Sequence, residues 1–447
     1  MKRFVVVPGL VVLMVFLSTT AMMRPAHAVP TSERIENVTP IGEEPVKPFT
    51  AQVVGLIWLN PLERMDYPTE WQLLWAQGLA TPNKNDDMVR TDPKSFTTLQ
   101  SVAGIAYGNS GTETFKGFYA KYIDKFILLI RTRYFSNAKY FYTVKPEKQN
   151  DWRELAGIRV EVAAPLRLDA AYARSRMIDR MMNFFEIGPP SPKTLWSRDT
   201  PPDVQITQGG ANAGFMSLNQ ALGYLQENPD KSVWVMNWDA PNFPPTDAQI
   251  NENLVVLFLA GPTFNTEREP LAWIGKAATG NTHDFPQKIG TTRAVQAWKA
   301  TIDQAARNAG VAVRDLHYIV HDAGKGSDAS SARLASLSRT LTETLPEYDH
   351  SKQTFNTAAL LGDMGTGSAL TDVALAIGRI NHFGGNALVA GTTDPEHPVA
   401  VVVLPPSKPT PIDPDKDWFR ARGGNNAYLP WWGRRRDTNY GMQGYSW

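Results

Sequence analysis

The sequence predicts a layered α/β fold, and three observations carry that expectation. From Asp203 onward, short apolar runs of strand length alternate with amphipathic helical periods. Hydrophobic residues make up 43% of the 447 residues and charged residues 20%, which supplies a large core. Glycine and proline, 33 of each, punctuate the chain between the runs.

In chain order, residues 52–59 form the first expected strand. Pro68 followed by an apolar period predicts a helix over 71–79, closed by the polar turn 83–87. Phe115, Phe118, Tyr119, Tyr122 and Phe126 recur at helical spacing and predict a buried helix face. Residues 204–207 are strand-like, Gly209-Gly210 turns the chain, and Phe215, Leu218, Leu222 and Leu225 line one side of a helix over 214–225. Strands are expected at 232–237 and 254–260, a helix at 293–308 and a strand at 316–321. Helices at 331–345 and 367–380 precede closing strands at 387–392 and 399–404.

The N-terminus reads as an export signal. Lys2 and Arg3 precede an apolar run over 4–17, and Ala26-His27-Ala28 offers a small-residue cleavage site, giving a signal peptide over 1–28. Extended through Met23, the run is also about the roughly 20 residues an uncleaved anchor needs. Either way the expected location is the periplasm or the inner-membrane surface, with a cytoplasmic role if the signal goes unused. A polar linker over 29–50 carries Pro30, Pro40, Pro45 and Pro48. Beyond it, the body divides into an N-terminal half over 51–265, a C-terminal half over 266–405 and an extension over 406–447. No segment after the signal is long and apolar enough to cross a membrane.

Composition excludes whole classes of function. Lys+Arg 45 against Asp+Glu 44 leaves a net charge of +1, without the basic excess of a general nucleic-acid binder. With no cysteine there is no disulfide, thiolate metal site or cysteine nucleophile. Neither a cofactor nor a metal is implied.

The order of motifs in 203–404 resembles the thiolase-like fold of β-ketoacyl synthases, a duplicated α/β unit with its site between the halves. Arg293-Ala294-Val295-Gln296-Ala297 opens a helix, Ile319-Val320-His321 ends a strand, and Asp322-Ala323-Gly324-Lys325-Gly326-Ser327 takes the place of the first histidine loop. The second loop reads Leu361-Gly362-Asp363-Met364-Gly365-Thr366-Gly367. The resemblance puts His321 where one catalytic histidine would stand, Asp363 where the second would be, and Ala211 or Asn212 at the nucleophile position. Condensation on this fold needs a thiolate and two polarising nitrogens. Two of those three groups are missing, so the resemblance implies a relic pocket without its chemistry.

A second resemblance spans most of the chain. The segments W-L-N-P-L-E-R-M-D-Y-P-T-E-W-Q-L-L-W from Trp58, N-K-N-D-D-M-V-R from Asn83, V-W-V-M-N-W-D-A-P from Val233, V-A-G-T-T-D-P-E-H-P from Val389 and N-N-A-Y-L-P-W-W-G from Asn425 are similar to a bacterial virulence-associated family that includes type VI lipase adaptors. That resemblance implies a non-enzymatic partner protein that escorts a lipase effector to a secretion spike. It carries over no catalytic residue.

Other clusters have simpler readings. A His321–Asp363 pair could orient a base, but no G-x-S-x-G elbow supplies a nucleophile, the nearest approach being Gly108-Asn109-Ser110-Gly111. Asp394, Glu396 and His397 are read as a rigid turn rather than a metal site, and residues 83–87 lack the glycine and distal glutamate of a calcium loop. Gly362 to Gly367 offers backbone N–H groups to an anion, or tight packing between the halves. Tyr428, Trp431, Trp432, Arg434, Arg435, Arg436 and Trp447 combine residue types enriched at binding hot spots. That tail suits a partner protein, a fold-back onto the body or an anionic membrane surface. The leading expectation is the adaptor; the alternative is an acyl-binding, acyl-transfer or hydrolytic protein using the relic pocket.

Overall fold

The computed structural model describes residues 47–59, 77, 114–136, 155–185, 187, 200–240, 252–265 and 269–411. Its strands are β1 (Thr50–Leu59), β2 (Arg159–Ala164), β3 (Asp203–Gln208), β4 (Ser232–Asp239), β5 (Asn253–Ala260), β6 (Ala272–Gly275), β7 (Ala278–Thr279), β8 (Leu316–His321), β9 (Thr354–Asn356), β10 (Asn386–Gly391) and β11 (Val399–Leu404). The longer helices are α1 (Phe115–Ser136), α2 (Ala170–Phe185), α3 (Ala213–Glu227), α4 (Arg293–Ala309) and α5 (Asp328–Thr344). Two short helices, α6 (His350–Gln353) and α7 (Thr357–Leu361), lead to α8 (Ser368–Phe383). None of the described helices is long and apolar enough to cross a membrane.

The strands form one ladder in the order β3-β2-β4-β5-β1-β6-β11-β10-β8-β9, with β7 beside β11. Its two ends repeat the same pattern. At one end β2 runs parallel to β3 and β4, and β5 and β1 follow antiparallel. At the other end β8 runs parallel to β9 and β10, and β11 and β6 follow antiparallel. The parallel strands connect through helices, as parallel pairing requires. This is the duplicated α/β unit that the resemblance to the thiolase-like fold implies. The repeats meet where β1 pairs with β6 through Thr50↔Gly275 and Val53↔Ala272, while keeping β5 on its other side.

Three apolar clusters define the layers. One cluster combines α3 and α8 with residues from β1, β4, β5, β8, β10 and β11, so both halves bury a face against the same central pair of helices. The outer clusters back each half separately, α1 and α2 on one side, α4 and α5 on the other. Strands covered on both faces read as continuous apolar runs. That is why β5, N-L-V-V-L-F-L-A, is buried at every position. Central helices must be apolar around most of their girth, and α8 is buried from Ser368 through Gly378. They cross closely, since a Cβ at Gly214 would lie 2.8 Å from that of Ala369.

Strands β8 and β11 fall at the boundaries expected from the sequence, and the aromatic face of α1 is buried as expected. Helix α5 begins three residues earlier than the apolar pattern implies, because Ser327 caps it by accepting from the Ser330 N–H at 3.1 Å. The sequence reading assigns no element to β2, α2, β6 or β9. The first two carry a usable signal: Val160 and Val162 alternate, and Ala173, Met177, Met181 and Phe185 recur every fourth residue on the buried side of α2. The expected helix over 71–79, the polar turn 83–87 and the 108–111 approach to an elbow lie outside the described residues.

Candidate functional site

Open α/β sheets build sites beyond the carboxyl ends of their parallel strands. Three such ends converge here. The Thr366 hydroxyl donates to the Gly209 carbonyl just after β3 at 2.7 Å. Gly391, the last residue of β10, faces Asn212; a Cβ there would lie 2.6 Å from Asn212 Oδ1. His321 ends β8 in register with Ala390 of β10.

Asn212 and Ala211 precede α3, where the resemblance places the nucleophile. Ala211 is buried and has no group to offer. Asn212 holds the cap position without a side-chain cap bond, and its Oδ1 is buried without a hydrogen-bond partner among the described residues. An amide does not replace a thiolate: it is a poor nucleophile and cannot carry an acyl group as a thioester.

His321 is buried, and its Nδ1 accepts from the Ala323 N–H at 3.2 Å. That bond fixes the neutral tautomer with its proton on Nε2. Burial, with His350 adding to it, pushes the imidazole down to about 4. A base at that value sits far below the neutral optimum for proton abstraction. The following loop is rigidly tied. Asp322 accepts from the Thr392 N–H and hydroxyl at 2.7 and 2.8 Å and from the Thr393 hydroxyl at 2.8 Å. Asn356 accepts from the Gly324 N–H and donates to the Gly324 carbonyl.

Asp363 does not bond to His321. It is exposed, and its Oδ1 accepts from the Gly365 N–H at 2.8 Å. The expected His–Asp pair is therefore replaced by two local bonds. The anion-cradle reading of this loop also gives way to packing. Thr366 N–H donates to Asp239 Oδ2 at 3.0 Å and Gly367 N–H to the Met364 carbonyl at 2.8 Å, so these donors are consumed internally.

What the loop does instead is join the repeats. Asn237 of β4 and Asn253 of β5 both donate to the Gly367 carbonyl, at 2.8 and 3.1 Å. Trp58 Nε1 of β1 donates to Asn253 Oδ1, and Asn253 Nδ2 donates to the Thr371 hydroxyl. Arg167, after β2, donates to Asp239 Oδ1 at 2.6 Å and to the Ala240 carbonyl. Its guanidinium stacks 4.2 Å above the Phe115 ring. Sequence reasoning missed Asp239, Asn237, Asn253 and Arg167. The only signal was polar residues at the ends of otherwise apolar runs, which demand buried partners.

Asp372 of α8 is a second unexpected group. It is wholly buried; desolvation, and then repulsion from Asp322, raise its carboxyl well above the usual range against the opposing Thr357 hydroxyl. The folded chain thus prefers the acid form. Stability from such a group is complete below its ordinary value of 3.8 and falls as pH rises through the folded value, by about 1.4 kcal/mol per pH unit in between. His321 works in the opposite sense, withdrawing stability as pH falls from 6.5 toward about 4. Asp372→Asn mimics the neutral acid. Its expected thermal midpoint matches the wild type near pH 4, exceeds it as pH rises above the ordinary carboxylate range, and falls more steeply on acidification because the opposing Asp372 contribution is gone while that of His321 remains. Parallel wild-type and variant midpoints across pH 4–8 would refute the assignment.

Asp394 accepts from the Glu396 and His397 N–H groups at 3.0 and 3.2 Å and meets His397 Nδ1 at 3.0 Å, forming a turn between β10 and β11. Glu396 faces His283 at 3.7 Å. The partner-binding candidates Tyr428, Trp431, Trp432, Arg434, Arg435, Arg436 and Trp447 lie outside the described residues.

A duplicated mixed α/β body with its strand ends gathered in this way is a thiolase-like fold. The ketosynthase from module 6 of the bacillaene synthase of Bacillus subtilis 168 superposes with a TM-score of 0.50 at 10% identity, covering 80% of this chain and 70% of that one. An oxazolomycin ketosynthase domain of Streptomyces albus JA3453 gives 0.48 at 14% identity, covering 83% of this chain and all of the other. At such identities the likeness concerns the fold alone. Residues 280–405 match the family described as type VI lipase adapter protein Tla3, C-terminal. Both resemblances read from the sequence are thus met, the second over that C-terminal stretch. No curated protein matches the chain in sequence.

Proposed function

We propose that the protein is a non-enzymatic adaptor that binds a type VI lipase effector and helps deliver it to the secretion spike. The observation that carries this reading is the match of 280–405 to the Tla3 adapter family. The pocket chemistry supports it: an alanine and an amide at the nucleophile position, a histidine held neutral, and a second loop used to join the repeats. We further propose that the chain acts at the cell envelope, on the strength of Lys2, Arg3, the following apolar run and Ala26-His27-Ala28.

The test is affinity capture of the tagged chain from separate cytoplasmic and envelope fractions, with acyl-thioester turnover assayed on the same material. The expected result is a stoichiometric lipase, no turnover, and a bait in the envelope fraction. Wild-type turnover that His321→Ala abolishes would overturn the reading in favour of an enzyme.

A further inference from the structure

Thr282, Pro395 and residues drawn from 287–294 line a wide-mouthed cavity of about 790 Å³ in the C-terminal half. Its wall includes Thr282, Lys288, Ile289, Thr292, Arg293 and Pro395. Ile289 is fully exposed at the tip of a turn. A lone exposed isoleucine needs no explanation. This one is held out by construction: Lys288 pairs with Thr291 across the turn, Gly290 takes φ +86°, Arg339 donates to the Gly290 carbonyl, and Gln296 donates to the Pro286 carbonyl at 2.9 Å. The backbone that presents this side chain is thus braced in place, which lowers the ordering cost a partner meets.

Charge decides what the partner looks like. Lys288 and Arg293 are exposed and have no ion-pair partner among the described residues. Nearby carboxylates are engaged or turned elsewhere: Glu396 faces His283, Asp394 holds its own turn, and Glu343 pairs with Arg339 at 3.0 Å. Asp284, beside the rim, is the exception and is outnumbered by the two cations. Complementarity therefore calls for an acidic segment with an apolar side chain to pack on Ile289 and Pro395. The chain's own tail is a poor match, because Arg434, Arg435 and Arg436 repeat the charge of the cavity.

We propose that this cavity is where the adaptor receives an acidic, partly apolar segment of its lipase effector. This rests on the adaptor reading and adds the surface; the whole cavity falls within the stretch matched to the adapter family. The experiment measures lipase binding by the full chain and by two variants, Ile289→Asp and the double Lys288→Glu, Arg293→Glu. A fluorescein-labelled peptide of alternating glutamate and leucine serves as a second probe on the same three proteins. All three sites are exposed, so unchanged thermal midpoints verify the fold. The expected result is at least tenfold weaker lipase binding for each variant, with salt dependence reduced in the double variant. Lipase binding equal in all three proteins would remove the surface and leave the adaptor reading standing. If the wild type binds no lipase the adaptor reading falls, and the peptide decides the surface alone: uptake by wild type but not by the variants supports it, and equal or absent uptake overturns it.

Discussion

Asp239→Ala is expected to destabilise the chain by about 3 kcal/mol, read as a lowered denaturation midpoint. The carboxylate is buried at the end of β4 and serves three groups at once: through Oδ1 the Arg167 guanidinium and the Ala240 N–H, and through Oδ2 the Thr366 N–H. Desolvation raises its carboxyl above the usual value, and Arg167 is the largest influence pulling it back. Removing the carboxylate takes the acidic partner from a guanidinium whose side chain is only 29% exposed, which keeps the Ala240 carbonyl and the Phe115 ring, and leaves two N–H groups without this acceptor. Arg167 reaches partial solvent, which is why the lower end of the range for broken buried pairs is expected. Because Thr366 belongs to the second repeat, the variant should also loosen the 363–367 loop, read as faster amide exchange at Thr366 and Gly367. A midpoint change under about 1 kcal/mol would mean that packing of α3 against α8, not this network, holds the repeats together.

How legible this was depends on what each residue had to satisfy locally. Strand β8 was legible because the apolar run Tyr318-Ile319-Val320 is bounded by a short turn and a glycine loop. The α/β alternation was legible because an apolar strand reads the same wherever it sits in the sheet, whereas the duplication came only with the resemblance of 203–404 to the thiolase-like fold. The His321–Asp363 pair that the loop order allows does not form, because loop order in sequence gives a neighbourhood, while a hydrogen bond needs a direction; an aspartate two residues before a glycine N–H closes on its own backbone first. Asp239 and Asn253 were illegible for a related reason. Their partners are 127 and 114 residues away, and nothing local distinguishes a structural aspartate at a strand end from a catalytic one.

Trp58→Ala is expected to give the largest single loss, about 3–5 kcal/mol. The indole is fully buried in the cluster shared by both repeats, on the strand that pairs with β5 on one side and β6 on the other. Its Nε1–H also holds Asn253, which in turn donates to the Gly367 carbonyl and the Thr371 hydroxyl at the start of α8. Deleting the ring therefore opens a cavity and frees the amide that ties β5 to the second repeat. Trp58→Phe separates the two effects, since it keeps much of the apolar volume but removes the donor, and is expected to cost about 1–3 kcal/mol from the orphaned Asn253 oxygen. The double variant Trp58→Phe, Asn253→Leu tests the coupling. If the indole acts through Asn253, the two losses combine to less than their sum in a double-mutant cycle of denaturation midpoints; strict additivity would show that Trp58 contributes by packing alone and that the polar chain from β1 to α8 carries no energy of its own.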